Sequence, residues 1–566
     1  MAFKEKIKES IKSGYARAIS SSGNIIAFSI SVFFSVIFTV FSMLQYYSLD
    51  DSAYDLGMHA QMIESFFHGE LFYSPLIGES LFAEHFTLFE FFQVPIYAIY
   101  SSPISLLIFE NVFVAFGGYL LYCISKHLFS KHIRYVLLLE ATSIIFLVAY
   151  EFSPYTQSLV SFPFHSMAFL PFFFLLAIYS FLKEKRILHF FSLFMIITLH
   201  SNFVYIVGIL LFYELIFLHF GEGKRIQIWL CKRHDPRGKR QFLYFLVFLV
   251  FLYLYILFAG FMKGYISGSV VGTLVPGTGA TGAAADSPLG ILILLFTNQH
   301  SFLAYIMVNS SQKLFYINLM FYNTGYLSFI SPTSLILTIP YLLYALPTSY
   351  SSYYQLGYQY SSMLVGPVFF GSVIGLCNLA AVIKFIQKKL KNNKMHNEKL
   401  AKKIVSVVVK RTTDENSYFA IFIVILMVIT VAVIPYGILS PSNMFNREGN
   451  SQMQDINYFS SCNAATFLIN EANKIPKNAF ILTQNTLMSY FSNDINTYST
   501  PWSPGIYSNL SKFTYIIFQY NSYWATTTQS TPSLQAIAMN GLSNGTYSII
   551  ASFPSSGIFV LEKNKN

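Results

Sequence analysis

The chain is short of charge, short of cysteine and, over one long stretch, without any basic residue. Asp, Glu, Lys and Arg make up 11% of its 566 residues, against 54% hydrophobic and 18% aromatic, and the mean hydropathy is +0.51. No soluble fold of this length hides so much apolar surface, so the composition excludes a soluble globular protein and requires a polytopic membrane protein. The cysteines, Cys123, Cys231, Cys377 and Cys462, are too scattered for a disulfide framework and lack the Cys/His spacing of a zinc site. A glycine-rich segment, 267–285, is not followed by Gly-Lys-Ser/Thr, which excludes a phosphate loop. No internal repeat of the transporter kind is found.

What is there is a series of apolar segments. Eleven are read as membrane spans: 24–46, 104–125, 135–150, 164–182, 187–200, 203–220, 242–262, 314–330, 333–349, 362–386 and 416–438. Each is near the roughly 20 residues that cross a ~30 Å hydrocarbon layer. With the N-terminus cytoplasmic, 28 of the 36 Lys and Arg fall on the inner side, in the N-terminal run, Lys126–Arg134, Lys183–Arg186, Lys224–Arg240 and Lys384–Arg411. That is the positive-inside bias. It accounts for the net charge of +10 without nucleic acid. Counting 86–100 as a full span would place Lys126–Arg134 on the wrong face, so it is read as a re-entrant or interfacial piece. The predicted organisation is a basic N-terminus (1–23), a membrane domain (24–438) with an acidic first outer loop (47–103), and a C-terminal domain (439–566). The N-terminal run reads as an uncleaved anchor in the plasma membrane.

The first outer loop holds the densest chemistry. Residues 47–103 contain eight carboxylates and three histidines, and no lysine or arginine occurs from Ser48 to Cys123. Acid without a basic partner is costly beside a membrane, and a loop that keeps it uses it on a cation, a proton or a hydroxyl. Asp55 and His59 lie one helical turn apart and can face one cavity. Glu84-His85 forms a second cluster before an apolar run. Such carboxylates can bind a divalent cation or take a proton from a hydroxyl. For Asp50 and Asp51 an ordinary acidic surface is the better reading. Glu110, Glu140 and Glu214 lie inside spans, with Glu140 and Glu214 near inner ends where they can snorkel. His165 and His200 lie near outer ends. The glycine-rich segment can serve as a mobile lid or as plain slack.

After the last span the composition turns to that of a small α/β domain on the outside. Ala464–Ile475 and Leu487–Phe491 read as helical, Ala479–Thr483 and Phe513–Phe518 as strands, and Tyr547–Phe553 with Gly557–Glu562 as a hairpin. Three glycosylation sequons, at Asn309, Asn509 and Asn544, fall on the predicted outer side.

Several motifs in order carry a resemblance. Tyr54-Asp55-Leu56-Gly57, His68-Gly69, Glu84-His85 and Pro95-Ile96-Tyr97 are followed by Phe164-His165, Leu327–Pro332, Ile339-Pro340 and Tyr358-Gln359-Tyr360. This series resembles the multi-pass family called domain of unknown function 2079. That family looks like a relative of the GT-C superfamily of membrane glycosyltransferases. The resemblance implies an all-α polytopic fold of about eleven transmembrane helices with a small extracytoplasmic C-terminal α/β domain. It implies transfer of a sugar from a polyprenyl-phosphate donor, with Asp55 as base or metal contact and His85 and Glu84 beside it. A divalent cation, Mg²⁺ or Mn²⁺, would sit at Asp55 and Glu84. His59, His165, His200, Lys263 and Tyr358 are the expected substrate contacts, with Lys313 a further candidate for the leaving phosphate. Membrane lipids are the other expected partners. The competing readings are a lipid or solute transporter and a surface scaffold whose outer domain binds a partner.

Overall fold

The computed structural model describes residues 2–50, 52–84, 87–220, 236–267, 295–348, 350–392, 417–440, 462–526 and 532–564. Asp51, His85, Cys231, the glycine-rich segment from 268 and the basic segments 221–235 and 393–416 lie outside the described residues.

The chain is mostly helical. Among the described residues, five helices are long and apolar enough to cross a membrane: Ile19–Tyr47, Pro103–Phe129, Gly238–Tyr255, Gln359–Phe385 and Phe419–Tyr436. A sixth span is formed if Val136–Glu151 and Pro154–Ser161, bent by 44° at their junction, are taken together. The bend follows from the sequence. Ser153 caps the second helix and Pro154 opens it, so the first cannot continue through. The remaining expected spans are represented by shorter pieces, Ser166–Leu182, Arg186–Leu199, Ser201–Phe217 and Pro332–Leu343, and by the less apolar helix Ser310–Tyr322. At 1.5 Å per residue a 17-residue helix reaches only about 26 Å, short of the ~30 Å core. The 86–100 piece holds a ten-residue helix, Glu90–Ile99, with Pro95 inside it. It is too short to span.

The outward surface of the spans is apolar. Ile25, Phe33, Val36, Val428 and Val431 are each more than half exposed. In water such a surface drives aggregation, whereas in hydrocarbon it is the solvated face. Inside, glycines set close approach. A Cβ on Gly375 would lie 1.9 Å from the Leu327 carbonyl oxygen, and one on Gly118 would lie 2.4 Å from a Glu151 carboxylate oxygen.

Two carboxylates within the spans, Glu140 and Glu214, are paired with neighbouring helices. Glu140 lies 2.8 Å from Lys126 Nζ and accepts from the Tyr122 hydroxyl at 2.6 Å. Glu214 lies 3.3 Å from His189 Nε2 and accepts from Gln241 Nε2 at 2.5 Å. Snorkelling, the expectation for both, is replaced by burial with a partner. An isolated charge there costs several kcal/mol, on the order of that for any unpaired buried ion, and a partner on the next helix offsets it.

Seven strands are described. β1 (Tyr73–Ser74) and β2 (Glu79–Ser80) make a two-residue ladder in the first outer loop. The others form one C-terminal sheet: β3 (Ile481–Gln484), β4 (Thr497–Thr500), β5 (Tyr515–Gln519), β6 (Tyr547–Phe553) and β7 (Ile558–Lys563), in the order β4-β3-β5-β7-β6. β3 runs parallel to β4 and β5, while β7 is antiparallel to β5 and β6. Leu482, Ile516, Phe518 and Leu561 from the sheet pack with Ile506, Phe513, Leu534 and Ala538 in one core. Full burial of each Leu, Ile or Phe contributes about 1.5–3 kcal/mol.

This α/β unit is fastened to the end of the first span and the loop that follows it. The Ala53 N–H donates to Asn485 Oδ1 at 2.9 Å, and Gln61 Nε2 donates to the Thr497 carbonyl at 2.9 Å. Asn493 Nδ2 donates to the Ser101 carbonyl at 2.8 Å, and the Tyr490 hydroxyl donates to the Tyr46 carbonyl.

Candidate functional site

One cavity of about 370 Å³ lies where the loop after the first span, the ends of the short helices and the C-terminal sheet meet. Asp50, Asp55, His59, Glu90, His165, His200 and Tyr358 line it, joined by Asn485, Thr486 and Trp502 from the C-terminal unit. No lysine or arginine lines it among the described residues.

The loop enters the site through a tight local structure. Ser52 accepts from the Tyr54 N–H and starts the wide helical turn Ala53–Gly57, which runs into the helix Met58–Phe67. This places Asp55 on the wide turn and His59 in the first turn of the following helix, both against the cavity. His59 Nδ1 lies 3.4 Å from Glu90 Oε1, with both side chains buried. Ser166 Oγ donates to the same Glu90 oxygen at 3.3 Å, and Gln93 Nε2 donates to Ser166 Oγ at 3.3 Å. The His59 ring sits edge-on to those of Phe164 and His165, with centroids 5.3 and 5.8 Å away. The loop is further held to the end of the helix Arg186–Leu199, because the N–H groups of Leu88 and Phe89 both reach the Thr198 carbonyl at 3.1 Å.

His165 and His200 occupy equivalent positions on two elements. Each is extended, each is followed by serine, and each caps the start of a helix with its own ring. His165 Nδ1 accepts from the Met167 N–H at 3.1 Å, and His200 Nδ1 accepts from the Asn202 N–H at 3.2 Å. An imidazole that accepts at Nδ1 carries its proton at Nε2 when neutral, so each ring keeps an Nε2–H donor. Glu110 supports the first of them, accepting from the His165 N–H at 3.3 Å. It also lies within electrostatic reach of Asp55.

Five of the expected site residues, Asp55, His59, His165, His200 and Tyr358, are brought together here. His85 lies outside the described residues; Glu84 ends the helix Leu81–Glu84 and Lys263 belongs to the helix Pro236–Ser267. Lys313 is engaged elsewhere. Its Nζ donates to the carbonyls of Tyr305 and Leu346, at 2.7 Å each, so it serves the backbone and not the cavity. Asp50, read as plain surface, is buried and lines the site. Glu90 and Ser166 were not anticipated. The available signal was a lone carboxylate in the run Phe89-Glu90-Phe91-Phe92, where a charge persists only with a partner. Among the described residues no three His, Cys, Asp or Glu side chains converge as a metal site.

Residues 45–560 match the family described as predicted membrane protein, domain of unknown function 2079. The chain belongs to that family. Within this member of the domain of unknown function 2079 family, the matched range takes in the acidic loop and all of the C-terminal sheet except the end of β7. Among solved structures, it is similar to ArnT from Cupriavidus metallidurans, crystallised bound to undecaprenyl phosphate, at 11% identity. That likeness covers 93% of this chain and 97% of the other with a TM-score of 0.43. No curated protein matches the sequence.

Proposed function

We propose that this protein is a GT-C-like membrane glycosyltransferase that moves a sugar from a polyprenyl-phosphate donor to an acceptor hydroxyl at the outer face of the plasma membrane. In this reading the chain crosses the membrane about eleven times with short and broken helices included, its N-terminus is cytoplasmic, and the C-terminal unit is extracytoplasmic. The observation that carries the proposal is the meeting of Asp55 with three imidazoles and Tyr358 in one cavity beside the apolar helices.

The reaction is an inverting displacement. An Asp55 carboxylate oxygen takes the proton of the acceptor hydroxyl as that oxygen forms its bond to the anomeric carbon. The bond between the anomeric carbon and the phosphate oxygen breaks, and its electron pair leaves on the lipid phosphate. In this reading His165, His200 and Tyr358, which line the cavity, would hydrogen-bond that phosphate and compensate for the absence of lysine and arginine in the described lining. The buried Glu90 fixes His59 beside them. Lys263, His85 and Glu84 remain proposed contributors, and Mg²⁺ or Mn²⁺ at Asp55 and Glu84 remains a proposal that EDTA treatment tests.

The deciding experiment supplies membranes with radiolabelled polyprenyl-phosphate sugars, with and without Mg²⁺ or Mn²⁺. Wild type transfers label, and Asp55→Asn at equal expression loses about 10²–10⁴-fold of the rate. No transfer by wild type from any donor sinks the proposal.

A further inference from the structure

The wall of the cavity contributed by the C-terminal unit differs in chemistry from the rest. Its lining residues, Asn485, Thr486 and Trp502, are uncharged, whereas the three carboxylates and three imidazoles of the lining come from the membrane domain and its first loop. Their positions in the fold are related. Asn485 and Thr486 directly follow β3, and Trp502 follows β4 by two residues, so the carboxyl ends of two adjacent parallel strands open onto the cavity. In open α/β sheets that edge is where ligands bind, because loops leaving the strand ends there form a crevice.

Two aromatic rings stand at this edge. Trp502 is 39% exposed and Tyr54 36% exposed, with ring centroids 5.7 Å apart and planes tilted by 59°. Large aromatic surface left partly open in a cavity is surface kept for a ligand. The electron-rich face of an indole attracts polarised C–H bonds, and the flat C–H face of a pyranose ring presents several together. Polar side chains, Asn485 and Thr486, line the same cavity as the two rings. Thr486 Oγ1 accepts from Gln484 Nε2 at 3.1 Å, which leaves the Thr486 hydroxyl hydrogen to donate. Asn485 is pinned by the Ala53 N–H on its Oδ1 and so is held in a fixed orientation. An uncharged wall of this kind does not suit a phosphate or an ionic peptide. It suits a neutral polyol with an apolar face.

We infer that Trp502 and Tyr54, with Asn485 and Thr486, form a subsite for a neutral saccharide, and that the C-terminal unit thereby selects a carbohydrate acceptor. The inference rests on the transfer reading for the word acceptor, but saccharide binding can be measured without turnover. The chain has three tryptophans, Trp229, Trp502 and Trp524. In full-length protein in lipid nanodiscs, replacing Trp229 and Trp524 by Phe leaves Trp502 as the sole indole reporter. Titration with mannotriose, cellotriose and chitotriose should give a saturable change in Trp502 emission with at least one of them. By calorimetry, Trp502→Ala and Tyr54→Leu should weaken that binding by roughly tenfold, with Trp502→Phe between wild type and Ala.

If transfer is observed, Trp502→Ala should raise KM for the acceptor and leave KM for the lipid donor unchanged. No saturable change with any of the three trisaccharides, or equal affinity in wild type and Trp502→Ala, overturns the inference. Saccharide binding without transfer keeps it while removing the transferase reading. Transfer with an unaltered acceptor KM in Trp502→Ala does the reverse.

Discussion

His59 Nδ1 and Glu90 Oε1 lie 3.4 Å apart with both side chains buried, one from the loop after the first span and the other from the short helix that follows it. Glu90 also receives the Ser166 hydroxyl, so one carboxylate addresses three elements of the cavity. Removing it should do more than remove a charge. Glu90→Ala is expected to lower stability by about 1–3 kcal/mol, the cost of leaving buried polar partners without their acceptor. Glu90→Gln keeps an oxygen for Ser166 and should lose less. Thermal melts of the two variants in the same detergent check the order.

The capping histidines separate two roles by substitution. Asn is a good helix cap but has no donor at the Nε2 position. His165→Asn and His200→Asn should therefore melt near wild type while losing donor binding, read as a raised KM for the lipid-linked sugar. His165→Ala loses the cap as well and should melt lower, by about 1 kcal/mol. Equal melts and equal KM for Asn and wild type would show that the Nε2–H groups contact no ligand.

Gly375 faces a backbone atom that cannot move aside like a side-chain tip. A Cβ there would sit 1.9 Å from the Leu327 carbonyl oxygen. Gly375→Ala should cost about 1–3 kcal/mol through forced separation of the helix from the 327–330 turn. Gly69, where an added Cβ meets nothing within 4 Å, is no fair control because its φ is +86°. The comparison is with an exposed alanine substitution such as Asn540→Ala, measured in the same melts.

Asp494 gives the C-terminal unit a pH dependence. Burial raises its carboxyl above the ordinary carboxylate range, opposed by the N–H of Asn496, which donates to Oδ1 at 2.9 Å. A raised folded value means that ionisation costs the folded state more than the unfolded one. Stability from this group is present below the unfolded value and is lost as pH rises through the folded value. Asp494→Asn, which keeps an acceptor for Asn496, should melt above wild type at neutral pH and equal to it in acid. The partial exposure of the site holds the gain below about 1 kcal/mol. A neutral-pH melt no higher than wild type contradicts this.

The sequence shows some parts of this molecule better than others. Apolar run length and the placement of Lys and Arg reveal a multi-pass membrane protein, since both follow from the hydrocarbon layer itself. They do not report how far a helix persists. Ser166–Leu182 and Arg186–Leu199 are short because His165 and His200 start new helices, a capping event that hydropathy does not register. In the C-terminal unit, the hairpin of β6 and β7 is legible from alternation. The polar strand Thr497–Thr500 and the helix Leu534–Ser543 are not, for their apolar residues are too few to set a period. In the site, Asp55, His59, His165, His200 and Tyr358 stand out as polar or aromatic residues beside apolar runs. Glu90 is marked only as a lone carboxylate among phenylalanines, which signals a buried partner but not that the partner is His59. Asn485, Thr486 and Trp502 carry no local signal at all, because only the parallel register of β3 and β4 delivers them to a loop more than four hundred residues earlier in the chain.

That distance has a consequence for biosynthesis. The cavity's first wall is made when residues 50–59 leave the ribosome, and its last only when residue 502 has been made and β3 and β4 have paired. The contacts that close the site join residues more than four hundred positions apart and are among the most non-local that the chain forms. A nascent or truncated chain, however well inserted, presents an open groove in place of a cavity. The wall contributed by the C-terminal unit is therefore the last part of the cavity to be synthesised.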